Sequence, residues 1–379
     1  MKKKKQLVVG IDIRDLKVSK TGQRTVIEEL ANQFRKSTDP EIRFVFFDTR
    51  LPVYAGRKKI VILIEHMRLQ FWKQLILPLK AWYHHCDIVF CGDYFVPYFH
   101  PGFKTIEIFH DAFFFEYPQH YNKIWLRIFH NIAVPAAKRC AYIMTVTDYA
   151  RKKVQAYTHI PENKIVTIYL GPKSISYSDN EQLPDTITSQ LHNQPYLLHV
   201  GVMEKRKNLP ALLRAFSLLK QQYQSEIKLV LVGKGNGKLF SDDSAQVKQT
   251  IRELSLENEV ILTGYLQDEQ VAIVYKHASL LVLPSFNEGF GIPILEAFKL
   301  GIPVVAAGNS CLPEVGGDAI LTFDPFDEQD ICTKIKMVLE NDALKKELIE
   351  KGHQRLKYFS WQKTAHQLIS LFKKAAQEN

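Results

Sequence analysis

Residues 284–303 read PSFNEGFGIPILEAFKLGIP. The apolar run Leu281–Leu283 stops just before this stretch, and a helical pattern starts near Ile292 and continues to about Leu300. A strand that passes through a short loop into a helix is where open α/β sheets bind ligands, outside the carboxyl ends of the strands. Gly289 and Gly291 lack Cβ and allow close backbone approach. The N–H groups of the first helical turn are available to a phosphate or sugar oxygen. Glu288 and Glu296 lie eight residues apart, slightly over two helical turns, so both face one side if the loop leads in smoothly. Carboxylates accept hydrogen bonds from hydroxyls, which suits sugar or ribose recognition. A cap on the helix for Glu288 and a solvated charge for Glu296 fit the local pattern equally well.

Outward from this junction, short apolar runs alternate with longer amphipathic stretches, the mark of βαβ units and parallel sheets. In the first half, strands are expected at Leu7–Ile13, Ile42–Phe47, Ile60–Ile64, Ile88–Cys91, Lys104–Phe109, Tyr142–Val146 and Ile165–Ile168. A polar loop surrounds Gly22, and a helix runs from about Thr25 to Phe34. Between Gly171 and Pro195 the pattern dissolves into Ser, Asp, Asn, Gln and Pro, as in a linker. A second sheet starts at Tyr196–Gly201 and continues through Ile227–Gly233, Val260–Thr263, Leu280–Leu283, Pro303–Ala306 and Ala319–Phe323. A helix from about Leu209 to Gln222 follows its first strand. The last helix, Trp361–Lys374, places Ala365, Leu368, Ile369 and Phe372 on one face. The aromatic stretch Phe71–Tyr83 admits two readings, an interfacial membrane helix or a core helix before Ile88. Pro78 would kink a long surface helix, which favours the core.

A chain of 379 residues suits about two domains. Its 46% hydrophobic and 24% charged content is that of a globular protein. No apolar run approaches the ~20 residues of a membrane span. Leu7–Ile11 meets Asp12 too soon for a signal-peptide core of about 7–15 residues, so a cytosolic protein is expected. Cys86, Cys91, Cys140, Cys311 and Cys332 are scattered and odd in number, with no zinc spacing and no disulfide framework. Residues 1–178 hold 28 Lys and Arg against 15 Asp and Glu; residues 179–379 hold 22 against 25. The first half is thus basic, which favours an anionic partner such as a membrane surface or a phosphorylated acceptor. Nucleic acid is not expected, because no nucleic-acid motif accompanies the charge. The Lys2–Lys5 run is either part of that surface or a tail.

A second loop, GVMEKRKN at Gly201–Asn208, also follows a strand and enters a helix. It puts Arg206 and Lys207 at a strand's carboxyl end. A planar guanidinium fork and a mobile ammonium both suit a diphosphate, though paired surface bases are commonly just solvated.

VGVMEKRKNLPALLRAF, LVLVGKG, VILTGYLQDEQVAIVYKHASLLVLPS and NEGFGIPILEAFKLGIPVV occur here in the order and spacing of the retaining glycosyltransferases of family four, which they resemble. The likeness covers nearly the whole chain, and the Glu288, seven residues, Glu296 pattern is the family's best-known signature. It implies an α/β protein of GT-B architecture: two Rossmann-like domains facing each other across a cleft. The first, 1–175, would bind the acceptor; a linker, 176–195, would lead to the donor-binding domain, 196–359; and 360–379 would cross back to the first.

By the same resemblance, Glu288 meets the donor sugar's hydroxyls and Glu296 the ribose. Arg206 and Lys207 bind the diphosphate. The backbone of Gly289, Phe290 and Gly291, leading into Ile292, holds sugar and phosphate, and Tyr265–Leu266 edges the base pocket. GIDIRDLKVSKTGQRT resembles the family's opening strand and glycine loop, so Gly22 approaches the phosphate. IFHDAFFFEYP resembles its His-Asp segment, so His110 lies beside the transferred sugar.

Two features depart from the pattern. The opening loop has one glycine where many members have two or three, and Val202 stands where some relatives have arginine. No metal motif is present, since Asp242 and Asp243 read as surface.

The implied activity is transfer of a hexose, with configuration retained, from a GDP- or UDP-linked donor to a hydroxyl of a glycan or lipid-linked acceptor. General similarity suggests mannose from a guanosine donor. No cofactor is expected. The rivals are a sugar-nucleotide epimerase or a phosphorylase of the same architecture, and a non-catalytic nucleotide- or glycan-binding protein. A phosphorylase would need a pyridoxal-lysine context that the sequence lacks.

Overall fold

The computed structural model describes residues 6–17, 22–49, 51–54, 59–174, 182–191, 194–222, 226–235, 237 and 240–378. The Lys2–Lys5 run lies outside them. The chain divides into two compact units, Met1–Gly171 with Trp361–Asn379, and Pro172–Ser360.

The first unit holds β1 (Leu7–Asp12), β2 (Ile42–Phe47), β3 (Ile88–Cys91), β4 (Lys104–Phe109), β5 (Tyr142–Thr145) and β6 (Ile165–Thr167). They pair in parallel in the order β2-β1-β3-β4-β5-β6. β3 and β5 are buried at every position, β3 as an unbroken apolar run and β5 as one that ends on the buried Thr145, as suits strands covered on both faces. The closing helix Trp361–Gln377 belongs to this unit. Phe372 on it packs at 5.9 Å from Phe34 and 5.5 Å from Phe90, and Thr364 Oγ1 donates to Tyr169 O at 2.7 Å.

The second unit holds β7 (Tyr196–Val200), β8 (Lys228–Val232), β9 (Val260–Gly264), β10 (Leu280–Leu283), β11 (Val304–Ala307) and β12 (Ile320–Phe323). Their parallel order is β12-β11-β10-β7-β8-β9. From β7 the chain builds outward in one direction, and from β10 in the other. The seam between β7 and β10 is therefore the topological switch point of this sheet.

Several expectations need correction. Ile60–Ile64 is not a strand but part of the helix Lys59–Phe71. Its β-branched run suits a strand locally, but continuity with the helical segment after it prevails. Gly22 is the first residue of a helix, Gly22–Arg35, which starts three residues before Thr25. The stretch between Gly171 and Pro195 contains a helix, Asp185–Leu191, with an acid in its first turn.

The segment Phe71–Tyr83 is helical and packs one face into the core, as expected, but leaves its other face exposed. A π-helical turn, Trp72–Ile76, is followed by the helix Leu77–Tyr83 with Pro78 in its first turn, where proline is tolerated. Trp72, Lys73, Leu77 and Ala81 are buried, while Phe71, Leu75, Leu79, Trp82 and Tyr83 are exposed.

Candidate active site

The two strands at the switch point of the second sheet carry the two loops singled out in the sequence. After β7, Lys205–Lys207 forms a single 3₁₀ turn that ends on Asn208 in the left-handed region. After β10, residues 284–291 lead into the helix Ile292–Lys299. The main chain joins the loops, since Phe286 N donates to Arg206 O at 2.8 Å.

Side chains complete the junction. Arg206 Nη1 donates to Glu288 Oε2 at 2.7 Å and Arg206 Nε to Glu204 Oε2 at 2.8 Å. Lys207 Nζ donates to Glu288 Oε1, which also accepts from Ser285 Oγ at 2.7 Å. Cys311 Sγ donates to the Glu288 carbonyl at 3.1 Å. Burial alone would raise the Glu288 pKa, but the charges of Lys207 and Arg206 override it and lower it to about 2. Lys207 is lowered by burial and by Arg206 beside it, partly offset by Glu288.

Glu288 does not cap the helix. Gly291 is the N-cap, at φ 93°, and no side chain caps there. A left-handed backbone at that point favours glycine, and a Cβ would lie 2.8 Å from Leu312 Cδ2. No side chain caps the first turn; Pro293 has no N–H and Ile294 N donates to Gly291 O at 2.9 Å, so Ile292 N is the first-turn group an anion would meet. Phe290 is buried beside Phe359.

Glu296 is buried rather than solvated, and Tyr275 Oη donates to its Oε2 at 2.8 Å. Burial raises its pKa, partly offset by that hydrogen bond. Glu288 and Glu296 thus bond to separate partners. Tyr265 and Leu266 follow β9; Tyr265 is exposed with Lys234 Nζ 5.8 Å above its ring, and Leu266 is buried. Asp243, read as surface, is buried, and burial raises its pKa; Asp242 Oδ1 accepts from Ser244 N at 2.9 Å. Among the described residues no group of three or more His, Cys, Asp or Glu could hold a metal ion.

Gly22 and His110 lie in the first unit. His110 follows β4, and its Nε2 bonds to Gly92 O at 2.9 Å. Burial depresses its pKa to about 4, so the ring is neutral near pH 7. A carbonyl only accepts, so the proton sits on Nε2 and Nδ1 keeps its lone pair.

Three groups were missed in the sequence. Glu204 pairs with Arg206, so two carboxylates balance the two cations. His199 is fully buried on β7, and its Nδ1 donates to Val282 O of β10 at 3.0 Å across the switch point. Its pKa falls to about 4 through burial, helped by Lys207. In the first unit, Lys73 is fully buried, with Nζ 2.8 Å from Asp12 Oδ2 and bonded to Asp93 Oδ1. Asp12 ends β1 and Asp93 lies just beyond β3, the strands that flank the switch point of that sheet. The two-residue spacing of Glu204 and Arg206 carries no signal by itself. The π turn, which sends Trp72 and Lys73 inward together, has none in a 3.6-residue pattern.

A family model described as glycosyl transferases group 1 matches residues 186–355, and one described as glycosyltransferase family 4 matches residues 20–172. O-antigen chain mannosyltransferase B of Escherichia coli is 30% identical over 374 residues, 97% of this chain and 93% of that protein. Among solved structures, sucrose-phosphate synthase of Thermosynechococcus elongatus has a TM-score of 0.72 at 15% identity, covering 97% and 99% of the two chains. Anabaena Alr3699/HepE, solved with UDP and glucose, has a TM-score of 0.69 at 17% identity, covering 97% and 100%. The two doubly wound units are the GT-B architecture. The chain belongs to the group 1 glycosyltransferases, family 4, and is a transferase enzyme. The epimerase and non-catalytic readings find no support in these likenesses.

Proposed function

We propose that the protein transfers mannose from a GDP- or UDP-linked donor to a hydroxyl of a glycan or lipid-linked acceptor in surface polysaccharide synthesis. Configuration is retained and no metal or cofactor takes part. The observation that carries the donor assignment is the Arg206–Glu288–Lys207 cluster beside an uncapped helix N-terminus at a switch point. Mannose and the polysaccharide setting rest on the full-length likeness to the E. coli mannosyltransferase.

In this reading Arg206 and Lys207 have two alternative anionic partners, Glu288 and the donor diphosphate. The donor diphosphate takes over Arg206 and Lys207, which frees ionised Glu288 to accept from sugar hydroxyls. Cations and the N-terminus of the helix Ile292–Lys299 then stabilise the leaving phosphate as the sugar gains oxocarbenium character. The backbone of Gly289, Phe290 and Gly291 supports sugar and phosphate, Glu296 with its Tyr275 partner receives the ribose, and Tyr265–Leu266 borders the base. Neutral His110 offers Nδ1 to a hydroxyl of the transferred sugar, and Gly22 approaches the phosphate. The front-face course needs no carboxylate nucleophile, so the protein's contribution is positioning and electrostatics.

Reaction takes place on the cytoplasmic side, with the basic first unit against an anionic membrane and nucleic acid playing no part. The test is turnover of a panel of GDP- and UDP-sugars with oligosaccharide acceptors, followed by assignment of the product's anomeric configuration. Release of sugar from GDP-mannose into an α-linked product is expected. An inverted product, or preference for a different sugar, overturns the corresponding part.

A further inference from the structure

The helical segment Lys59–Tyr83 of the first unit has two faces of opposite character. Inward, Trp72 and Lys73 reach Asp12 at the carboxyl end of β1. Outward, Met67, Phe71, Leu75, Leu79 and Trp82 recur at spacings of four, four, four and three, and every one is exposed, Phe71 to 56% and Trp82 to 67%. Single exposed apolar residues are ordinary, but a continuous strip is not. A groove of about 410 Å³ opens beside it, lined by Met67, Phe71 and Leu75, by the polar His66, Gln70 and Gln74, and, from the neighbouring helical segment that begins at Lys123, by Ile128. Ile124, one turn earlier on that segment, is also exposed.

Charge identifies the occupant. Across residues 59–83 and 123–137 the one acid is Glu65, which is buried and paired to Arg68. Lys123 and Arg127 are exposed and Lys80 is half-buried. An apolar strip on segments whose solvent-facing charges are basic, with no exposed acid among them, is complementary to a bilayer with anionic headgroups, with the aromatic Trp82 and Tyr83 suited to the interfacial region.

We propose that this strip inserts into an anionic bilayer as a monotopic docking surface, with the groove beside Ile128 receiving an acyl chain. This deepens the membrane contact of the proposed function, which rests on net charge alone, and is independent of donor and acceptor. A purely electrostatic contact fades as salt shortens the Debye length from about 10 Å at 0.1 M to about 3 Å at 1 M. An inserted strip keeps much of its hold.

The test is flotation of the full chain with phosphatidylcholine vesicles, with and without phosphatidylglycerol, at low and high salt. The wild type is expected to float with the phosphatidylglycerol vesicles and to stay bound in part at high salt. Bromine-labelled acyl chains are expected to quench its fluorescence, with the quenching lost in Trp82→Phe. Phe71→Ser with Leu75→Ser is expected to weaken partitioning about a hundredfold, about tenfold for each large side chain removed from the acyl region. Melting and nucleoside-diphosphate binding report whether the double variant folds; Trp82→Ser, with a smaller loss expected, serves if it does not.

Flotation of the variants equal to wild type, or complete release of the wild type at high salt, overturns the proposal. So does an absence of vesicle binding together with a dimer that the variants dissociate, which makes the strip an interface between copies. Sugar transfer to a soluble acceptor is measured alongside. Absence of vesicle binding by the wild type with turnover intact rejects the docking surface alone, whereas absence of turnover in the wild type rejects the functional reading.

Discussion

Phe286 and Arg206 are joined through the main chain: the N–H of the first donates to the carbonyl of the second at 2.8 Å. The loops after β7 and β10 are therefore stitched together independently of their side chains. A substitution of Arg206 or Lys207 removes charge from the site while leaving that backbone link.

Lys207→Ala is expected to weaken binding of the nucleoside diphosphate by about 1.5–3 kcal/mol, the range for a hydrogen bond to a charged group. Titration calorimetry with GDP and UDP measures it. Unchanged affinity for both would remove Lys207 from the diphosphate site.

Glu288→Gln is expected to lower both turnover and stability. Glu288 is no solvated cleft residue; it is buried and neutralises two cations. Its folded pKa of about 2 lies below the ordinary 4.5, so its contribution is present above pH 4.5 and is lost as pH falls toward 2. Denaturation midpoints of wild type and variant should differ at neutral pH and converge in acid. A variant with wild-type midpoint and normal turnover contradicts the role.

His199 predicts a separate window. It is neutral when folded, with a pKa near 4 against an ordinary 6.5, so the unfolded chain binds more protons between these values. Its stabilisation is complete above pH 6.5 and is lost as pH falls to about 4, by about 3 kcal/mol. His110 adds a loss of the same sign, so the comparison must be with His199→Gln. A variant whose pH slope between 6.5 and 4 matches the wild type would rule out this assignment.

Activity should survive EDTA, because in the proposed reading Arg206, Lys207 and a helix N-terminus neutralise the diphosphate without a metal. Complete loss on chelation, restored by magnesium or manganese, would refute metal independence.

Much of the fold was legible because parallel strands buried on both faces are unbroken apolar runs. Ile88–Cys91 and Leu280–Leu283, apolar and buried throughout, occupy the ranges their patterns predict, and so do Ile42–Phe47 and Lys104–Phe109, whose runs polar residues interrupt. Ile60–Ile64 misled because its local preference was outweighed by the helix it begins. In the site, the loops and the helix start at Ile292 were legible from spacing, but the pairings within them were not. That Glu288 would hold Arg206 and Lys207, and that His199 would bridge to Val282, depends on which strands are neighbours at the seam. Sequence order puts those residues more than eighty positions apart.

The π turn at Trp72–Ile76 acts as a phase shifter. Each residue of an α-helix advances the side-chain direction by about 100°. Removing one residue there would restore the ordinary winding and swing Leu79 and Trp82 about a quarter turn or more away from Phe71. Lys73 is anchored inside the unit by Asp12 and Asp93, so the upstream half could not follow. A single-residue deletion in this turn would therefore cut the outward strip into two misaligned halves while every one of its side chains remained in the chain.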